Sequence, residues 1–149
     1  MRGDRWTRGG KEIKRIKAVA IVATFCVAVP ASVAMANPPL REVPEIEDTL
    51  FIVAIADEVS KKCDSISGRR LKGLSILLNL RAHANRLGYS DAEIRNQVES
   101  DAEKKRMRAK GEAYLKSQGV AIGESETYCA FGRAEIKKSS AIGALLKAK

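Results

Sequence analysis

The chain has 149 residues, with 27 basic side chains against 18 acidic ones, a formal net charge of +9, three cysteines and one histidine. That length allows one domain with a modest core. The scarcity of imidazole removes the commonest catalytic base and metal ligand from consideration.

Residues 1–36 read as a Sec-type signal peptide. Met1 to Lys17 holds seven cations against Asp4 and Glu12, and the apolar run Ala18 to Val29 follows. Twelve helical residues rise about 18 Å, short of the roughly 30 Å hydrocarbon core of a bilayer. Pro30 breaks the run, and Ala34 and Ala36 place small residues where a signal peptidase inspects them, so cleavage is expected after Ala36. An uncleaved anchor is the competing reading, and the short run argues against it. A lipid anchor at Cys26 is disfavoured by bulky Phe25, and no adjacent arginine pair marks twin-arginine export.

Seven of the 27 basic and two of the 18 acidic residues lie in 1–36, so the remaining 113 residues carry 20 and 16, near +4. Much of the basicity therefore belongs to export, which weakens a nucleic-acid reading. Removing Cys26 with the signal leaves Cys63 and Cys129, an even pair with one connectivity in an oxidising compartment. In the chain-entropy model a loop of about 67 residues is worth roughly 4 kcal/mol. The pair lacks the Cys-x-x-Cys spacing of a redox centre.

In chain order, Asn37-Pro38-Pro39-Leu40 predicts an extended arm over 37–43. Pro44 suits the first turn of a helix running to about Lys62, with Glu45, Glu47 and Asp48 at its positive end. Its centre, Leu50 to Ala56, is apolar all round and predicts the central helix of the fold. Ser67 is the expected cap of a second helix reaching about Leu87, with Leu71, Leu74, Leu77 and Leu78 as its core stripe, Leu80 and Leu87 extending it, and Gly88 as its stop. Ser90 and Glu93 form a capping box, with Tyr89 and Ile94 as its hydrophobic staple, so a helix starts at Asp91. Ser100 and Glu103 repeat the box, leaving open whether the helix restarts or runs through. The next segment carries Met107, Gly111, Tyr114 and Leu115 on one face and ends near Gln118, before Gly119. Gly111 predicts a close approach of two helices. Ser125 is the expected cap of a last helix through Lys138, and a tail from Ala141 to Lys149 sets Ile142, Leu145 and Leu146 on one side. The expected fold is all-α: four to five helices over 37–149, stapled by Cys63–Cys129, which ties the start of the domain to its end.

Chemistry-bearing motifs are few. His83 shares a helical face with Ile76, Leu80 and Leu87 and reads as a packing residue. One imidazole and two disulfide-bonded cysteines cannot close a metal shell; neither metal nor cofactor is expected. No nucleophile elbow and no glycine-rich phosphate loop occur. The carboxylate pairs Asp57 and Glu58, and Glu99 and Asp101, read first as solvated helix faces. Lys104, Lys105, Arg106, Arg108 and Lys110 place five cations in seven residues, a candidate contact for an anionic surface, with Asp101 and Glu103 near enough to pair with some of them.

These segments resemble a family of small exported α-proteobacterial proteins catalogued as a domain of unknown function, number five-three-three-three. The resemblance is carried by Asn37 through Ile46, Ala54 through Glu58, Leu87 through Ile94, Lys104 through Ala109, Gly132 through Ile136 and Ser140 through Gly143. It covers nearly all of 37–149, and the paired Cys63 and Cys129 look like the family's pattern. It implies no activity. The overall plan is also similar to the acid-stress chaperones of the enterobacterial periplasm. The expectation is thus a periplasmic, non-enzymatic protein that binds another protein or an envelope component. It would act as an envelope-stress chaperone or as an inhibitor or immunity-type protein; a hydrolase using Asp57 and Glu58 is the alternative of a different class. Nucleic acid is excluded as a partner, and the oligomeric state is left open.

Overall fold

The computed structural model describes residues 37–149. The signal segment expected over 1–36, with its helix over 11–29 and its cleavage site at Ala34 and Ala36, lies outside the described residues. Within them the chain is mostly helical, as its patterning predicts. The five helices are α1 (Pro44–Lys62), α2 (Arg70–Arg86), α3 (Asp91–Glu99), α4 (Asp101–Ser117) and α5 (Ser125–Lys138).

Pro44 opens α1, and Glu45 and Glu47 in its first turn and Lys61 and Lys62 in its last complement the helix dipole. The helix buries Ile46, Ile55, Ala56 and Val59, while Phe51, Ile52, Val53 and Ala54 are half-buried. It is the central helix, but it is not enclosed on every side. Its C-terminal half packs with Leu115, Tyr128, Phe131 and Leu146 into the main core; its first turn joins Leu40, Ala84 and Tyr89 in a second, smaller one. Cys63 caps α1 and bonds to Cys129 in α5, with the two Cα atoms 5.1 Å apart and the residues 66 apart in sequence.

The arm expected to be extended over 37–43 is instead partly coiled and anchored: Leu40–Glu42 forms a 3-10 turn with Leu40 buried, and the Tyr89 hydroxyl donates to the Pro38 carbonyl at 2.6 Å. The capping box at Ser90 and Glu93 forms in full, and Gly88, at φ 95°, ends α2 in a Schellman turn in which the Tyr89 N–H reaches the Ala84 carbonyl at 3.1 Å. At Ser100 the chain breaks and restarts; its side chain accepts from the Glu103 N–H as the N-cap of α4.

Three expectations are corrected and one open segment is settled. Ser67 does not cap α2: it lies in a strand, β1 (Ile66–Gly68), and α2 starts three residues past it without a side-chain cap. The tail from Ala141, to which the sequence assigns no element, takes a definite form. After a 3-10 turn at Gly143–Leu145 it becomes β2 (Leu146–Ala148), antiparallel to β1 with Ser67 opposite Lys147. Ser125 does not cap α5 but donates to the Lys62 carbonyl at 2.6 Å, holding α5 to the end of α1. Most consequentially, Leu71, Leu74, Leu77, Leu78 and Leu87 are not core: they are 85%, 53%, 37%, 55% and 42% exposed, and of the expected stripe only Leu80 packs inward. The face that packs carries Ile76, Leu80 and buried Ala84, on the opposite side of α2. A helix rich in leucine offers two apolar stripes, and only tertiary contacts decide which is covered.

Two glycines of contrasting surroundings test this packing. A Cβ at Gly143 would overlap the Glu135 carbonyl, whereas at Gly73, near the start of α2, it would meet nothing within 4 Å. Gly143→Ala should destabilise the domain by about 1–3 kcal/mol through overpacking. Gly73→Ala should stabilise it by up to about 1 kcal/mol through helix propensity. Thermal melts of the two variants against the parent check both signs.

Candidate functional site

The uncovered flank of α1 is the floor of an open groove of about 1350 Å³. Phe51, Val53 and Ala54 lie along it; Leu74 and Leu77 from α2 form one wall, and Met107 from α4 the other. The groove follows from a shortage of apolar side chains on α4. Near its C-terminus that helix seats against α1 through buried Leu115 and through Gly111, where a Cβ would approach Ile55 Cδ1 to 3.3 Å. The expected close approach at Gly111 is therefore of a helix backbone against a side chain.

Towards its N-terminus α4 meets α1 through ions. The Glu47 carboxylate, 7% exposed, accepts from both ends of the Arg106 guanidinium at 2.9 Å and from Lys110 Nζ at 2.9 Å. Arg106 Nε also donates to Glu103 at 2.7 Å, and Glu103 accepts from Arg41 at 2.9 Å. Lys110 Nζ sits 4.8 Å from the centroid of the Phe51 ring. The network braces α4 against α1 and the 3-10 turn without filling the space beside them.

The hydrogen bonds from Arg106 hold the Glu47 carboxyl below its ordinary range; burial opposes this, and Lys110 reinforces it. Arg106, and then Arg41, lower Glu103 in the same way. Burial raises the Tyr114 and Tyr128 phenols. Away from the groove, the bidentate Arg81 contact, assisted by Asn85, brings Asp91 down to about 2.

The five cations singled out in the sequence are divided by this arrangement. Arg106 and Lys110 turn inward to Glu47, and Lys104 lies 3.8 Å from Asp101. Lys105 and Arg108 are exposed and make no ion pair among the described residues. His83 is half-buried on α2, with Nδ1 3.4 Å from an Arg86 nitrogen. Asp57 pairs with Lys61 at 2.6 Å on the surface, and its backbone carbonyl accepts from the Ser60 hydroxyl at 2.9 Å. Among the described residues no group of three or more His, Cys, Asp or Glu side chains is placed to hold a metal.

The residues that sequence reasoning missed are Glu47 and the exposed leucines. The cation run held the clue to the first: five cations in seven residues outnumber the carboxylates flanking them, which leaves room for a distant partner.

Because the folded pKa of Glu47 lies below the ordinary 4.5, its stabilisation is complete above that value and is lost as pH falls through the folded value. Glu47→Gln should lower stability at neutral pH by about 1–3 kcal/mol. It should also flatten the decline in stability below pH 4.5 that the parent shows. Urea melts between about pH 7 and about pH 3 would read both effects.

No curated protein and no solved structure matches the chain. A family model does match, over residues 38–147, and it covers α1 to α5 and the start of β2. The chain therefore belongs to the Family of unknown function (DUF5333).

Proposed function

We propose that the protein is a Sec-exported periplasmic binding protein, without catalytic activity, whose working surface is the groove along α1. The observation that carries this reading is an apolar trough left open in a small domain that had the means to close it. Gly73 stands on its wall with unfilled space where a side chain would sit, at a cost of about 1 kcal/mol to the helix. Unfilled concave apolar surface is the usual form of a binding site. The strongly held carboxylates Glu47, Glu103 and Asp91 are all engaged in bracing helices. Export is supported by the basic, then apolar, then Ala-x-Ala order of residues 1–36 and by the Cys63–Cys129 bond. An envelope-stress chaperone and an inhibitor are both forms of this reading, and each needs such a surface.

Two measurements test it. Protein recovered from a periplasmic extract should have an intact mass beginning at Asn37, with both thiols blocked until reductant is added. Full-length precursor in the membrane fraction with free thiols would overturn the export claim. The anionic dye anilinonaphthalene sulfonate should bind the oxidised domain saturably. Gly73→Glu, which adds a charge where there is room for it, should abolish that binding while leaving the circular dichroism unchanged. Dye binding that ignores Gly73→Glu would place the binding surface elsewhere.

A further inference from the structure

We infer that the occupant of the groove is an acidic amphipathic α-helix of another protein, seated against the leucine seam of α2. This rests on the groove reading above and gives its occupant a chemistry.

Three observations converge on a helix. Leu71, Leu74 and Leu78 follow one another at the three-then-four spacing of a coiled-coil seam, and they are the most exposed large apolar residues on α2. Arg81 and Asn85 continue that spacing as polar residues, so the apolar seam is about two turns long. Leu74 belongs to both the seam and the groove wall, so the seam, with Leu71 and Leu78 outside the trough, adjoins it along α2. A rod that buries apolar residues at i, i+3 and i+7 fits such a surface. A planar bilayer engages a broad convex face and would leave the trough unfilled.

Charge then selects the partner. Helix α2 carries Arg70, Lys72, Arg81 and Arg86 and no carboxylate. Of these only Arg81 is ion-paired among the described residues, to Asp91. Around the trough, Arg41, Lys61 and Arg106 are neutralised by Glu103, Asp57 and Glu47, whereas Lys62, Arg70 and Arg108 have no ion-pair partner among the described residues. Glu58 and Glu112 are the unpaired carboxylates on the same rim, so the balance stays positive. A second copy docking through its own α2 would bring four cations against this excess. A helix with leucine on one face and glutamate or aspartate beside it satisfies both the seam and Arg70 and Arg108.

The test uses the oxidised periplasmic protein and two synthetic three-heptad peptides, both with leucine at a and d. One carries glutamate and the other lysine at e and g. The glutamate peptide should bind at least about tenfold more tightly than the lysine peptide in low salt, with the difference shrinking as salt is raised. Arg70→Glu combined with Arg108→Glu should invert that preference; inversion also shows that the doubly substituted protein is folded. Equal binding of the two peptides, or tighter association with phosphatidylglycerol vesicles than with either, would overturn the inference. So would a concentration-dependent dimer in sedimentation that Leu74→Glu abolishes. If the dye still reports the groove but neither peptide binds, the acidic-helix inference falls and the groove reading stands. If the dye ignores the groove as well, both fall.

Discussion

The Cys63–Cys129 bond fixes the end of α1 to α5 at the place where the main core is densest. Val59, Cys63 and Ile66 are wholly buried there, and Gly132 on α5 lies so close that a Cβ would come within 2.8 Å of Val59 Cγ1. The two ends of the domain, α5 and the β1–β2 ribbon, attach around this joint. The Ser125 hydroxyl ties α5 to the last carbonyl of α1, and β1 and β2 close over the same apolar side chains. A domain of this size buries a limited fraction of its surface. A covalent clamp at the core lets one flank of the central helix go uncovered without loss of the fold, because part of the stabilisation comes from restricting the unfolded chain.

The opposite end of α1 is held by different means. There the helix carries Glu47 instead of a large apolar residue, and α4 reaches it with Arg106 and Lys110. Ion pairs between partly exposed side chains contribute modestly, but they are directional. A bidentate guanidinium fixes the angle at which α4 stands. An apolar contact of equal strength would have pulled α4 down onto Phe51 and Val53 and filled the trough. The spacing of the two walls is therefore set by charge geometry, while the floor is set by the core.

Much of this was legible in the sequence where the signal is local. The Pro44 start, the Gly88 and Gly119 stops, and the Ser90 capping box all form as the residues predict, because each is decided within about one helical turn. The disulfide was legible because only one pairing was available. What could not be read depends on distant residues. Leu146 looks helical in its own neighbourhood, and only Ile66 to Gly68, about eighty positions upstream, make it a strand. The leucine pattern of α2 was read with the right period and the wrong face, since Leu71, Leu74 and Leu78 and the stripe of Ile76, Leu80 and Ala84 are equally acceptable locally. The cation run was legible as a cluster but not as two classes, because Glu47 lies 59 residues before Arg106.

The pairing of β2 with β1 has a bearing on when the domain can assemble. Leu145 and Leu146 complete the main core, Gly143 lies directly against the Glu135 carbonyl, and the Lys149 N–H closes on the Ser65 carbonyl at 3.0 Å. The core thus stays open until the final few residues are free to fold back over Ile66. Completion of the main core is therefore a late event in any process that delivers the polypeptide from its N-terminus.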